Sequence, residues 1–103
     1  MNKGQHRELP QSEIKNFAIA YAYDNFLELK RNEVKITAQE CNAIRVIHRQ
    51  HIVGPGEAID TILQDEEWEV SIPLKVFLCR LIVTVYRYND GSLDVTNYQK
   101  LPL

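Results

Sequence analysis

The chain has 103 residues, which suits a single domain with one modest hydrophobic core. Apolar residues make up 45% of it and charged residues 25%, a balance that excludes an intrinsically disordered chain. The formal net charge of −2 gives no overall bias towards nucleic acid or acidic membranes. Its apolar stretches fall short of the ~20 residues of a membrane span. We therefore expect a cytoplasmic protein without a membrane segment.

The N-terminal part of the chain predicts a tail followed by a long helix. Residues 1–10 are polar and end at Pro10, which is typical of a flexible tail, and residues 11–103 then form one α+β domain. Ser12 is a plausible N-cap for a helix that runs to about Arg31. Apolar residues lie on more than one side of this helix, which predicts either a central helix of the fold or a helix in a dimer contact.

Two further helices are predicted in the middle of the chain. Thr37 and Glu40 have the spacing of a capping box, so the second helix begins at Ala38 and should run to about Gln50. Residues 54–56, Gly-Pro-Gly, predict a turn. A short third helix is expected over residues 56–65, because acidic residues in the first turn favour the helix dipole.

The last third of the chain predicts antiparallel strands. Residues 68–72 alternate between apolar and polar, and residues 81–88 are rich in β-branched and aromatic side chains. The Asn-Asp-Gly-Ser sequence at 89–92 separates them from a second alternating run at 93–98, a strong hairpin signal. Residues 74–80 fit helix and strand equally well. The predicted fold is α+β, with about three N-terminal helices followed by a C-terminal antiparallel hairpin or small sheet.

Catalytic and metal signatures are weak in this sequence. On the predicted second helix, Cys41, His48 and His51 fall near one face, which is one way to place zinc ligands. A helix C-terminus also favours histidine without any metal, and we prefer that interpretation. The serines and glycines form neither a nucleophile elbow nor a phosphate-binding loop. We therefore expect no cofactor, no metal and no enzymatic activity.

An acidic segment surrounds the single tryptophan of the chain. This segment is the most distinctive candidate for contact with a partner protein. The simpler interpretation is that its acidic side chains face water and that Trp68 is buried in the core. The candidate partner-binding residues are Glu57, Asp60, Asp65, Glu66, Glu67, Trp68 and Glu69. Our leading hypothesis is a small non-enzymatic protein-interaction or regulatory module that forms a homodimer and contacts an unidentified protein partner.

The alternative hypothesis is a nucleic-acid-binding regulator. The predicted order of three helices and a hairpin resembles that of a winged helix-turn-helix domain, with residues 89–92 at the tip of the wing. Its third helix would be acidic, whereas DNA contacts require Lys or Arg. Binding would instead use the basic residues Arg45, Arg49, Arg87 and Lys100.

Overall fold

The computed structural model describes residues 9–52, 64–88 and 90–103. Three helices come first: α1 (Gln11–Asn25), α2 (Leu27–Lys30) and α3 (Ala38–Asn42). Four strands follow: β1 (Arg45–Ile52), β2 (Gln64–Leu74), β3 (Cys79–Arg87) and β4 (Leu93–Pro102), with a short 3-10 turn (Lys75–Phe77) between β2 and β3. Most of the predicted tail (residues 1–8 of 1–10), the predicted turn at 54–56, residues 56–63 of the predicted third helix and Asn89 lie outside the described residues. The last two residues of that predicted helix, 64 and 65, belong to β2 instead, because they pair with β1.

The strands form one antiparallel sheet in the order β1-β2-β3-β4, so each strand pairs with its neighbour in the chain. The α+β class with N-terminal helices is confirmed. The sheet is larger than a hairpin, because β1 and β2 add two strands to it. An irregularity between Thr84 and Val85 shifts the register against β4.

The core lies between α1 and one face of the sheet, which we call the helix face. Ile14, Ala18 and Ala22 of α1 are buried at four-residue spacing, as expected for one stripe of an amphipathic helix. Two of these three are alanines, which let the helix approach the sheet closely. The buried residues of the helix face are Trp68, Val70, Ile72 and Leu74 of β2 and Cys79, Leu81, Val83, Val85 and Arg87 of β3.

The first helix differs from its prediction at both ends. It begins after Pro10, and Ser12 lies inside it instead of capping it. It stops before Phe26, whose backbone is extended, and the chain then forms the separate helix α2. The break turns the Phe26 ring into the core, 5.3 Å from the Phe77 ring. Burial of a large aromatic side chain there outweighs one more turn of helix.

The second side of α1 is covered by the chain itself. The hydroxyl of Tyr23 accepts a hydrogen bond from the backbone N–H of Ile36 at 2.9 Å. Val34 and Ile36 pack against the core beside Ile19 and Tyr23. The two apolar sides of the predicted helix therefore do not require a dimer contact through α1.

The second helix is much shorter than predicted. The capping box is confirmed, with Glu40 N–H donating to the Thr37 hydroxyl at 3.0 Å and Thr37 N–H to the Glu40 carboxylate at 2.9 Å. The helix ends at Asn42, and the residues expected to continue it form β1. The β-branched pair Val46 and Ile47 favours a strand, and pairing with β2 decides the outcome. This strand removes the predicted resemblance to a winged helix over residues 45–52.

The C-terminal predictions hold more closely. The strand over residues 68–72 and the hairpin of β3 and β4 are confirmed, and Gly91 has the expected positive φ of 89°. Residues 74–80 are neither one helix nor one strand: they contain the end of β2, the 3-10 turn and the start of β3. The turn closes at Leu78, which has a left-handed backbone with φ 50°.

Candidate functional site

The two faces of the sheet have different surroundings, because side chains alternate along each strand. The helix face packs against α1. The opposite face, which we call the open face, contacts no helix among the described residues. It carries Arg45, Ile47 and Arg49 from β1, Glu67, Glu69 and Ser71 from β2, Arg80, Ile82, Thr84 and Tyr86 from β3, and Asp94, Asn97, Gln99 and Leu101 from β4.

Exposed aliphatic side chains lie on the open face and at its edge beside the 3-10 turn. Ile47 is 49% exposed, and Leu101 is exposed as well. Where the sheet ends, the backbone N–H of Leu103 donates to the carbonyl of Leu78 at 3.1 Å, which places these two leucines side by side. Leu78 is 74% exposed. Leu78, Leu101 and Leu103 therefore lie together at this end of the sheet, and a group of exposed aliphatic side chains is typical of a contact surface.

The charges of the open face are balanced. The open face carries three basic and three acidic residues. The basic ones are Arg45, Arg49 and Arg80, and the acidic ones are Glu67, Glu69 and Asp94. Arg49 lies 3.6 Å from the Glu67 carboxylate. Arg45 and Arg80 make no ion pair or hydrogen bond with another described residue. Two guanidinium groups are therefore available for an outside ligand.

A shallow groove of about 240 Å³ crosses the open face near the 3-10 turn. Ile82 forms its nearly buried floor, and Ile47 and Leu101 are its apolar sides. Its polar lining consists of Arg45, Glu69, Ser71, Arg80 and Gln99. Polar and charged residues therefore make up most of the lining, around a small apolar floor.

A polar cluster occupies the opposite end of the helix face. Glu66 accepts a hydrogen bond from His48 Nε2 at 3.0 Å and another from Arg87 at 3.2 Å. The His48 ring stacks on Trp68, with centroids 4.8 Å apart. Arg87 is buried, and its Nε has no hydrogen-bond partner among the described residues. The carboxylate of Glu66 neutralises the buried guanidinium and fixes the histidine ring.

The structure separates the acidic residues predicted to bind a partner. Trp68 is buried in the core, as the simpler interpretation of the sequence expected, with Glu66 beside it on the helix face. Glu67 and Glu69 belong to the open face. Asp65 lies in β2, whereas Glu57 and Asp60 lie outside the described residues. The described part of the acidic segment therefore does not form one patch around the tryptophan.

The predicted nucleic-acid residues are also on two faces. Arg45 and Arg49 are on the open face. Arg87 is buried against Glu66, and the Lys100 ammonium lies 5.6 Å from the centre of the Phe26 ring on the helix face. These four residues do not line one surface.

The residues weighed as zinc ligands are in different elements. Cys41 is in α3, and both His48 and His51 are in β1. The three residues therefore do not lie on one side of a single helix, as the prediction required. Within the described ranges, no three His, Cys, Asp or Glu side chains gather as a metal ion would require. Burial raises the pKa of the other thiol, that of Cys79.

Sequence reasoning missed the open face because it assigned β1 to a helix. The signal was present in residues 45–49, where Arg45, Ile47 and Arg49 alternate with Val46 and His48. That period of two places the first three on one side of a strand. The groove follows from the same alternation on the neighbouring strands.

Comparisons with protein-family models, with curated proteins and with solved structures found no match for this chain. None of the helices in the described ranges has the length and apolar character needed to cross a bilayer.

Proposed function

We propose that this protein is a non-enzymatic interaction module that forms a homodimer through the open face of its sheet. The observation that carries the proposal is a four-stranded sheet with a helix layer on one face and exposed Ile47 and Leu101 on the other. Burial of such a face releases water from apolar surface, which is the main driving force of association.

The size of the open face supports this proposal. At about 4.8 Å between strands and about 3.4 Å per residue, four strands of eight residues cover roughly 500 Å². Two copies in contact would bury roughly 1,000 Å² in total, which is at the lower end of specific interfaces. A weak dimer, formed at high micromolar concentration, fits this area.

The charges favour a second copy over a strongly charged partner. The open face carries equal numbers of acidic and basic residues, so two copies do not repel each other. Arg49 on β1 and Asp94 on β4 lie in one row across the sheet, joined by the register Arg49–Glu67–Tyr86–Asp94. A two-fold axis parallel to the strands would place β1 of one copy over β4 of the other. Each Arg49 would then face Asp94 of the second copy, giving the same ion pair twice.

Sedimentation velocity of two matched variants tests the proposal. Ile47 on the open face and Leu27 on α2 are aliphatic and equally exposed, at 49% and 50%. Ile47→Lys should weaken or abolish the dimer, because a charge buried in the contact must be desolvated, whereas Leu27→Lys should leave it intact. A monomeric wild-type protein at millimolar concentration, or equal effects of both variants, would contradict the proposal.

A charge exchange tests the orientation. Arg49→Glu and Asp94→Arg should each weaken the dimer, because each places like charges together, and the double variant should restore it. Arg31→Glu is the control, since Arg31 lies outside the open face and is exposed. Absence of rescue in a double variant that folds would reject the axis parallel to the strands.

A further inference from the structure

We infer that the groove on the open face binds a small carboxylic acid with an aliphatic body. This goes beyond the proposed dimer, because the groove belongs to a single copy of the chain. The dimer would cover the groove, so the acid binds the monomer and competes with dimerisation. It is formed by residues from all four strands, which a packed core behind the sheet holds in place.

The headgroup is assigned from Arg45 and Arg80, whose guanidinium groups have no ion pair or hydrogen bond with another described residue. Arg45 on β1 and Arg80 on β3 have only β2 between them and differ by one row of side chains. Their Cα atoms are therefore roughly 12 Å apart, and both side chains can reach the middle of the groove. The Ser71 hydroxyl and the Gln99 amide lie between and beside them and make no hydrogen bond with another described residue. These groups together supply several donors for one carboxylate.

The body of the ligand is assigned from the floor and sides. Ile82 is nearly buried beneath the groove, and Ile47 and Leu101 rise on either side. An aliphatic chain packs on Ile82, between these two side chains, whereas a fully hydrated ion does not. The volume of about 240 Å³ suits a small acid and is below the range of drug-sized pockets.

The charge of the ligand follows from Glu69, which also lines the groove. Its carboxylate reduces the positive potential made by the two arginines. The three charged side chains of the groove, Arg45, Arg80 and Glu69, therefore carry a net charge of +1. A carboxylate monoanion neutralises this charge, whereas a phosphate dianion overcompensates it. The groove therefore matches the charge of a monocarboxylate.

Titration of the full chain with sodium octanoate, at low micromolar protein concentration where the monomer predominates and followed by amide chemical shifts in NMR spectra, tests the inference. We expect saturable binding at millimolar octanoate, with shifts centred on residues of the groove. Arg45→Gln and Arg80→Gln should each weaken binding about tenfold, because each removes charge-assisted hydrogen bonds. Arg31→Gln, at an exposed arginine outside the groove, should leave binding unchanged.

Three outcomes would overturn the inference. They are no saturation at millimolar octanoate, an equal loss of affinity in Arg31→Gln, and binding of inorganic phosphate as tight as that of octanoate. Titration of Arg49→Glu, at a position outside the groove lining, separates the two proposals. If a monomeric Arg49→Glu variant still binds octanoate, the groove proposal is supported independently of the dimer proposal.

Discussion

The two faces of the sheet differ in how far their ion pairs are exposed to water. On the helix face, Arg87 and Glu66 are both withdrawn from water, with side chains 5% and 12% exposed. On the open face, Arg49 and Glu67 form a looser pair at 3.6 Å, with side chains 47% and 27% exposed. The same residue types therefore stabilise the fold on one face and stay available to partners on the other.

The apolar side chains show the same difference. Leu81 and Ile82 are adjacent in β3, yet Leu81 packs beneath α1 and Ile82 forms the floor of the groove. A strand between two packed layers would read as a continuous apolar run, and β3 does so from Leu81 to Val83. Its sequence is that of a strand covered on both faces, although the described helices cover only one.

The largest expected effect comes from the buried ion pair. Glu66→Gln should lower the free energy of unfolding by about 3 kcal/mol, because it leaves the buried Arg87 guanidinium without a counter-charge. Glu67→Gln on the open face should cost less than about 1 kcal/mol. Urea unfolding of both variants measures this difference. Equal losses would show that the two faces do not differ in this respect.

The next effect concerns the neighbouring residues of β3. Leu81→Ala should destabilise the fold by about 2–5 kcal/mol, since it leaves a cavity under α1. Ile82→Ala should cost less than half as much, provided that unfolding is measured at micromolar concentration, where the monomer predominates. A larger loss for Ile82→Ala than for Leu81→Ala would contradict the assignment of the faces.

A smaller, pH-dependent effect is expected at Glu40. Its carboxylate accepts hydrogen bonds from the backbone N–H groups of Thr37 and Lys75, at 2.9 and 2.8 Å, and so ties α3 to the 3-10 turn. Burial alone would raise the pKa of Glu40, but these hydrogen bonds outweigh it and hold the pKa below its usual value of 4.5.

A carboxyl whose pKa is lowered by folding stabilises the protein above its unfolded pKa. That stability is lost as the pH falls through the lower, folded pKa. The wild-type free energy of unfolding should therefore decrease below pH 4.5. Glu40→Gln should cost about 2 kcal/mol at neutral pH and make this decrease shallower. An unchanged pH profile in Glu40→Gln would assign the acid sensitivity to other carboxyls.

The smallest expected effect is spectroscopic. Trp68, the single tryptophan, is buried between the sheet and the helix layer, so its emission should be shifted to the blue and resist quenching by acrylamide. Addition of octanoate should not change that emission, because the groove lies on the other face. Efficient quenching in the folded protein would instead place Trp68 at the surface.

The sequence predicted those parts of the fold that depend on local signals. The capping box of Thr37 and Glu40, the alternation of residues 68–72 and the turn glycine Gly91 act over a few residues, and all three are confirmed. The break at Phe26 and the strand β1 depend on contacts with distant residues, namely the Phe77 ring and the pairing with β2. The local alternation at residues 45–49 is compatible with a strand, but only the pairing with β2 selects the strand over a longer helix.

The candidate site was harder to predict than the fold. Arg45 and Arg49 were selected as basic residues of a helix end, and they are basic residues of the open face instead. Arg80, Ser71 and Gln99 have no distinctive spacing in the sequence, because they meet only through the register of β2, β3 and β4. A site formed by cross-strand neighbours requires the strand order before its residues can be listed together.

The most direct test of the central claim compares isoleucine methyl groups on the two faces. Ile47 and Ile82 report on the open face, and Ile14 and Ile72 report on the packed core. We predict that dilution from millimolar to micromolar concentration shifts the methyl resonances of Ile47 and Ile82 and leaves those of Ile14 and Ile72 in place. Resonances that are all independent of concentration, or shifts confined to Ile14 and Ile72, would contradict the account.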